Sequence, residues 1–338
     1  MFVPVVSHLR EPLMPTVPGR AKRWIRSGMA IGFFNQGVFC VQLTKEVGNN
    51  TQFIAVGIDP GSKREAYSVK SRSHTYLNIL SKAVDWVKDA IESRRNARRS
   101  RRNRKTPCRQ NRENRSRGCL PPSTKARWQL KLRVCRWLNK MFPISSFVVE
   151  DIAATTREGK KKWNISFSPL EVGKKWFYDQ LGFLATVETK QGWETKQLRD
   201  TLGLKKSQHK LANVFEAHNV DSWVLANSVT GGDKLDNKKM LLLSPMRLHR
   251  RQLHMFQPGQ GNVRREYGGT RSIGFTRGSI VRHRKLGVTH VGGTSKGRVS
   301  LHAMRDGKRL TQNAKTEDIK FLAYTGWRLT KDGVSSQS

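Results

Sequence analysis

Apolar residues crowd most densely into positions 52–58, Gln-Phe-Ile-Ala-Val-Gly-Ile, a composition that reads as a buried strand. The run stops at Asp59-Pro60-Gly61-Ser62, a turn sequence. Residues 65–70 and 74–80 suit the next two strands of a meander. Upstream, Pro12, Pro15 and Pro18 punctuate a small module. In it a short basic helix, Arg20 to Arg26, follows Pro18 and stops at Gly28. Ala30–Leu43 then alternates loosely and suits a hairpin turning near Asn35–Gly37. Downstream the spacing turns helical. Ile79, Ala83, Trp86, Val87 and Ala90 predict one long helix over 82–105. A second helix spans 123–141, capped by Ser123/Thr124. A strand, Ser145–Val149, runs into Glu150-Asp151. Residues 157–163 read as a basic loop. Further helices are predicted over Pro169–Leu184, over Glu194–Leu202 (closed by Gly203) and over 213–229. After Thr230-Gly231-Gly232 the texture changes to short β-like runs, Gly278–His283, Arg298–Leu301 and Ile319–Tyr324, with glycine turns such as Gly292-Gly293.

Charge alters this picture more than any other quantity. Sixty-four Lys and Arg face 25 Asp and Glu, a formal net charge of +39. Self-repulsion of that size calls for a polyanion to neutralise it. Nucleic acid is the natural one, because phosphate binding releases condensed counterions. A membrane surface is the rival, but no apolar run is long enough to span a bilayer. Met1–Pro15 also lacks the basic start and apolar core of a signal peptide. The expectation is a bacterial cytoplasmic protein, nucleoid-associated when acting. Cys40, Cys108, Cys119 and Cys135 form no C-x-x-C pair, which argues against a zinc ribbon, and so few in so long a chain argue against a disulfide framework.

Between Arg94 and Arg117 stand eleven Arg, one Lys and a single acid, Glu113. A run of like charges is most often a solvated or disordered segment. Here it continues a helical pattern on every face, so it has no side left to pack on protein. Phosphates can surround such a helix, pairing with the guanidinium forks, and a folded RNA can enclose it on several sides. The expected RNA contacts are Arg94, Arg95, Arg98, Arg99, Arg101, Arg102, Arg104, Lys105, Arg109 and Arg112.

Three acidic positions carry candidate chemistry. Asp59 ends one predicted strand and Glu150 another, while His218 and Asp221 are spaced to share one helix face. Sheets present strand ends along one edge, where a helix can meet them. Such a site could hold two divalent ions roughly 3.5–4 Å apart for phosphodiester hydrolysis. Each residue alone has a plainer reading: a turn residue, a strand-end surface charge, a solvated helix face.

Five segments together resemble a known family. Gly57-Ile58-Asp59-Pro60-Gly61-Ser62-Lys63 looks like a first RuvC motif, Phe147-Val148-Val149-Glu150-Asp151 like a second, and Ala217-His218-Asn219-Val220-Asp221-Ser222-Trp223 like a third. The arginine run resembles a bridge helix, and Pro12-Leu13-Met14-Pro15 matches the signature of the PLMP domain. In this order they resemble the IscB/IsrB proteins, compact transposon-encoded relatives of the type II CRISPR effector nucleases. Gly192-Trp193-Glu194-Thr195-Lys196 and Leu202-Gly203-Leu204-Lys205-Lys206-Ser207 add to the likeness. Arg64-Glu65-Ala66-Tyr67 departs from it, where the family more often carries a Thr-Gly-like pair.

The resemblance implies an α/β, RNase H-like (RuvC) mixed sheet with flanking helices, a small N-terminal module and a β-rich C-terminal domain. The implied boundaries are 1–51 PLMP, 52–92 first RuvC segment, 93–120 bridge helix, 121–158 second RuvC segment, 159–186 linker, 187–235 third RuvC segment and 236–338 a domain reading a short motif beside the target. It further implies a monomer bound one-to-one to a guide called omega RNA. Base pairing would select double-stranded DNA, and the protein would read duplex shape and the adjacent motif. Asp59, Glu150 and Asp221, with His218, would hold two Mg2+ ions, Mn2+ being able to substitute, and His218 would assist in activating water. Arg271, Arg277, Arg282 and Arg284 are candidates by charge for reading DNA.

IscB proteins insert an HNH nuclease between the second and third RuvC motifs. Here only residues 151–217 intervene, with His209 their one histidine. The chain therefore resembles IsrB, and the expected activity is a nick in the non-target strand. TnpB proteins also lack HNH but carry a C-x-x-C pair that is absent here. Two other readings stay open: a non-catalytic RNA-binding scaffold protein, and a RuvC-like junction nuclease that works without RNA.

Overall fold

The computed structural model describes residues 2–48, 50–103, 120–153, 168–232, 234–246, 271–295 and 297–331. The N-terminal module is a four-stranded sheet in the order β2-β1-β4-β3, built from β1 (Val3–Val6), β2 (Pro12–Thr16), β3 (Ala30–Asn35) and β4 (Val38–Leu43). Helix α1 (Pro18–Arg26) lies on it and starts with Pro in its first turn, where no backbone N–H is needed. Val3, Val5, Leu13, Ala21, Ala30 and Val41 form its own core. The β3–β4 hairpin closes through Gln36 and Gly37, at φ 49° and 102°. Positive φ at both loop positions gives the turn a twist that matches the strands.

The central sheet has seven strands in the order β18-β10-β7-β6-β5-β8-β9. They are β5 (Ala55–Asp59), β6 (Arg64–Lys70), β7 (Thr75–Lys82), β8 (Ser146–Asp151), β9 (Thr186–Gln191), β10 (Met240–Pro245) and β18 (Trp327–Lys331). Strands β5, β8 and β9 run parallel, β6 runs antiparallel to β5 and β7, β10 is parallel to β7, and β18 is antiparallel to β10. Strand β5 is buried along its whole length, which is why it reads as a continuous apolar run. The mixed α/β class expected from the sequence, a mixed sheet with flanking helices, is present.

One face of this sheet carries α3 (Pro122–Asn139) and α4 (Pro169–Gly182), around a core that includes Trp128, Leu132, Trp137, Phe147 and Phe177. The two helices touch at Gly173, where a Cβ would lie 2.1 Å from the Trp128 indole nitrogen. The other face carries α6 (Phe215–Thr230), preceded by α5 (Gly192–Thr201).

Several boundaries differ from the sequence reading. The helix expected over 82–105 begins only at Val87. Its apolar start belongs instead to β7 and its connector, because Ile79 pairs with Tyr67 and Leu241 inside the sheet. Described residues of this helix, α2, are Val87–Asn103, and from Glu92 to Ser100 each is exposed. Residues 104–119 lie outside the described residues, as do those of the predicted basic loop 157–163. The span 159–186, expected as a linker, holds α4, whose Phe177 and Leu181 are fully buried. Strand β9 was not foreseen, since Thr-Val-Glu-Thr-Lys-Gln sits at a sheet edge and lacks an apolar run.

The segment after Gly232 is not wholly separate. Its β10 and β18 extend the central sheet, so the boundary at 236 does not mark the sheet's end. The remainder forms a two-stranded piece, β11 (Arg271–Ser272) and β12 (Phe275–Thr276), and a five-stranded antiparallel sheet. That sheet has the order β16-β15-β14-β13-β17, from β13 (Ser279–His283), β14 (Gly287–Ser295), β15 (Arg298–Ala303), β16 (Arg309–Ala314) and β17 (Ile319–Tyr324). Gly292-Gly293 is not a turn: it lies within β14 at a bulge, and a Cβ on Gly292 would meet the His302 ring at 2.1 Å.

A candidate metal-dependent active site

Asp59 is the last residue of β5, and Glu150 lies near the end of the parallel β8, so both carboxylates reach one edge of the sheet. Helix α6 brings the third element. It lies directly on β5 at Gly57, where a Cβ would fall 1.8 Å from the Ser222 carbonyl oxygen and 2.6 Å from the Ala226 nitrogen. Only glycine permits that approach. Polar bonds set its register. The Asn219 amide donates to the carbonyls of Tyr67 (3.3 Å) and Ile79 (3.1 Å), and the Ser222 and Ser68 hydroxyls pair at 2.8 Å. At the other end the Lys70 ammonium donates to Asn227, Thr230 and the Gly231 carbonyl, closing the helix C-terminus.

This docking delivers His218 and Asp221 to the carboxylate edge. His218 Nδ1 stands 3.0 Å from Asp59 Oδ2, a pair 159 positions apart in sequence. Nε2 donates to the Lys210 carbonyl at 2.9 Å. Burial works against the imidazolium, but these two acceptors outweigh it and hold His218 above the ordinary histidine range. Both ring nitrogens are thus engaged, and His218 must release one partner and lose the proton on that nitrogen before it can accept a proton or bind a metal.

Glu150 is pushed up to about 7, by burial first and then by the nearby charges of Asp59 and Asp221. Gly192, the first residue of α5, stands beside it. A Cβ there would lie 3.4 Å from Glu150 Oε1. A capping box between Gln191 and Glu194 fixes this helix start, and the Gln191 amide also donates to Asp151 at 2.9 Å.

Asp221 is 1 % exposed and carries a cation on each oxygen. Arg199 Nη1 on α5 donates to Oδ1 at 2.5 Å, and the Lys206 ammonium donates to Oδ2. Burial disfavours the Lys206 charge, but Asp221, Asp59 and Glu150 together raise it above the usual lysine range. Neither Arg199 nor Lys206 was singled out in the sequence. The signal lay in the segments around Gly192 and Lys205-Lys206, which carried resemblance without a role.

Among the described residues no three Asp, Glu, His or Cys side chains close on a metal ion. The contacts explain why: Asp221 faces two cations, and His218 is tied to Lys210. The donor chemistry nonetheless fits a hard divalent cation, with buried oxygen ligands crowded enough to push Glu150 well above the usual carboxylate range. A lysine ammonium already sits among them, so the position favours positive charge.

Of the candidate RNA contacts, Arg94, Arg95, Arg98 and Arg99 are exposed on α2. The side chains of Arg101 and Arg102, and residues Arg104, Lys105, Arg109 and Arg112, lie outside the described residues. Arg277, Arg282 and Arg284 are exposed around β13, far along the chain from the carboxylate edge, and the Arg271 side chain is not among those described. No described helix is long and apolar enough to cross a membrane.

No curated protein matches the sequence. Among solved structures, the chain is similar to Thermus thermophilus RuvC in complex with Holliday junction substrate, at 12 % identity over 53 % of this chain and 97 % of that one, TM-score 0.31. It is also similar to the yeast mitochondrial Holliday junction resolvase Ydc2, at 11 % identity over 53 % of this chain and 78 % of that one, TM-score 0.27. Scores of this size mark a general likeness of chain path and assign no activity. Residues 3–164, which hold the N-terminal sheet together with Asp59 and Glu150, match the family described as RRXRR protein.

Proposed function

We propose that this protein is a metal-dependent DNA endonuclease of RuvC type, directed by a guide RNA of the omega class, that nicks the non-target strand of double-stranded DNA. The observation that carries the catalytic part is the convergence of Asp59, Glu150 and the His218/Asp221 pair, from three distant segments, at one sheet edge. In a chain with 25 acids against 64 bases, a buried carboxylate cluster is not a by-product of composition. Its isolation on a polycation suits an enzyme that binds phosphates broadly and cleaves at one point.

In this reading Asp59, Glu150 and Asp221 hold Mg2+, or Mn2+ in its place. Bound there, divalent ions would lower the pKa of a water and supply charge to stabilise the pentacoordinate phosphorus of the transition state. The chain's own residues set the geometry. Gly57 fixes the distance between α6 and β5, Arg199 holds one oxygen of Asp221, and His218 orients Asp59. Once freed from the Lys210 carbonyl, and after losing its Nε2 proton to solvent, His218 could take the proton of the attacking water. The exposed arginines of α2 grip the RNA backbone, and those around β13 meet the duplex beside the target. Residues 1–51 form the PLMP module, and the part of 236–338 outside the central sheet, the five-stranded sheet from β13 to β17, supplies the surface that reads the adjacent motif. A single carboxylate site, with no second histidine-based nuclease between Glu150 and His218, cuts one strand.

The test is a supercoiled plasmid assay with protein purified together with its RNA. Open-circle product that needs Mg2+, and that disappears with Asp59→Ala, is expected. A linear product would refute the one-strand reading, and equal nicking by the variant would refute the site. Absence of any long copurifying RNA would remove the guide.

A further inference from the structure

The residues that cover the carboxylate edge form a strap of irregular chain between α5 and α6. Leu202 and Leu204 pack its start against Phe215, Val220 and Trp223 of α6, and beyond them four polar contacts hold it down. Arg64 donates to the Leu211 carbonyl at 3.3 Å, and the Lys210 carbonyl accepts from His218 at 2.9 Å. The Ser207 N–H donates to the Glu216 carbonyl at 2.8 Å, and the Lys206 ammonium binds Asp221. The two cations on Asp221 differ in their anchorage. Arg199 sits on a capped helix with 13 % of its side chain exposed, whereas Lys206 sits on the strap with 32 % exposed. Lys206 therefore has the wider path to solvent, and no helix holds it in place.

Charge balance gives this difference a consequence. A buried carboxylate that stays ionised, as Asp221 does between two cations, needs compensating positive charge. At rest Arg199 and Lys206 supply it at Asp221. A divalent ion arriving among the same oxygens would meet the Lys206 ammonium at short range, in surroundings where like-charge repulsion is poorly screened. One of the cations has to leave, and the strap residue is the one that can.

We propose that Lys206 is a placeholder cation: it fills the position of a divalent ion at Asp221 and is displaced when the metal binds, so that it sets the metal affinity of the site. The inference rests on the carboxylate cluster being a metal site. Arg199 acts as a positioning residue, keeping Asp221 aimed inward through the exchange. Displacement also loosens the strap, since Lys206 and the Lys210 carbonyl belong to the same segment, and this frees His218 Nε2.

Manganese binding to the full-length chain, stripped of nucleic acid at high salt and followed by electron paramagnetic resonance, tests this without relying on activity. Lys206→Met should lower the half-saturating Mn2+ concentration about five- to tenfold, because no charge has to be expelled. Lys206→Gln, which keeps a hydrogen bond and the polarity of the strap, should do the same and guards against a folding defect in the first variant. Lys206→Arg keeps the charge and should keep the weaker binding of the parent. Unchanged or weaker Mn2+ binding in both neutral variants overturns the placeholder role, as does tight binding by Lys206→Arg. Asp59→Asn separates the two levels. If it abolishes binding while Lys206→Met has no effect, the metal site stands and the placeholder falls. If the parent binds no Mn2+ in an Asp59-dependent way, both fall.

Discussion

Glu65 and Lys131 form an ion pair of 2.6 Å in which both side chains are almost wholly removed from solvent. The pair joins β6 to α3 behind the carboxylate edge. The Tyr67 hydroxyl donates to the second Glu65 oxygen at 2.8 Å, and the Lys131 ammonium also reaches the Gly61 carbonyl at 3.5 Å. Gly61 lies in the turn that follows Asp59, so the pair supports the candidate site from beneath. Removing one partner leaves an uncompensated buried charge, which typically costs about 3–5 kcal/mol. Lys131→Met should therefore lower the urea midpoint strongly. The double variant Glu65→Gln/Lys131→Met should recover much of the loss, and failure to recover would mean that packing, not charge, is what Lys131 provides.

Gly57→Ala probes the close approach of α6 to β5. Its Cβ would collide with three backbone atoms of α6, which cannot rotate away as a side chain would. Overpacking of this kind costs about 1–3 kcal/mol or more. The helix must shift, and His218 and Asp221 shift with it. Thermal unfolding should show the loss of stability, and Mg2+-dependent nicking should fall further than stability alone explains. A variant with normal nicking would show that the site tolerates displacement of α6.

How much of this was legible beforehand divides by the kind of signal. Strand β5 is buried throughout and announces itself by composition, and Asp59 follows from where that run ends. Glu150 is read in the same way from β8. Their meeting with α6 was an expectation from edge geometry and resemblance, because Gly57 looks like any strand residue until the helix lies on it. Arg199 and Lys206 were illegible for a different reason. In a chain with 64 Lys and Arg, one basic residue carries no information, and only the fold shows which two face a buried carboxylate. The same dilution hid Lys131 and Lys70. Strands β10 and β18 were not read as strands: both fall in the span 236–338 expected to form a separate domain, and a local pattern does not say which sheet a segment joins.

The raised Glu150 carboxyl gives the metal-free protein a defined pH response. In the fold it keeps its proton up to about pH 7, against an ordinary value of 4.5. Between those values the folded state holds more protons than the unfolded state, so stability falls as pH rises through that window and stays lower above it. Glu150→Gln removes the effect. In the presence of a chelator the variant should be more stable than the parent at pH 8 by roughly 1–3 kcal/mol, discounted for the partial exposure of the group. The difference should shrink to a small remainder at pH 5. Urea titrations at the two pH values measure it, and equal stability at pH 8 would place the Glu150 carboxylate in a solvated setting.

The exposed stretch of α2 separates binding from folding more cleanly than any other element. Arg94, Arg95, Arg98 and Arg99 stand in solvent, while the contact of α2 with the body is made by its apolar start, with Trp86 and Val87 against the main core. Surface substitutions away from special features usually change stability by no more than about 0.5 kcal/mol. Converting all four to Ala should therefore leave the melting temperature almost unchanged. If they bind RNA phosphates, each lost contact should reduce the slope of log affinity against log salt by about 0.7–0.9. Filter binding of the copurified RNA at several salt concentrations reads that slope. A flatter slope with weaker binding at low salt assigns these arginines to the RNA backbone. An unchanged slope would place the RNA elsewhere on the chain and leave α2 facing a different polyanion, such as the DNA strand itself.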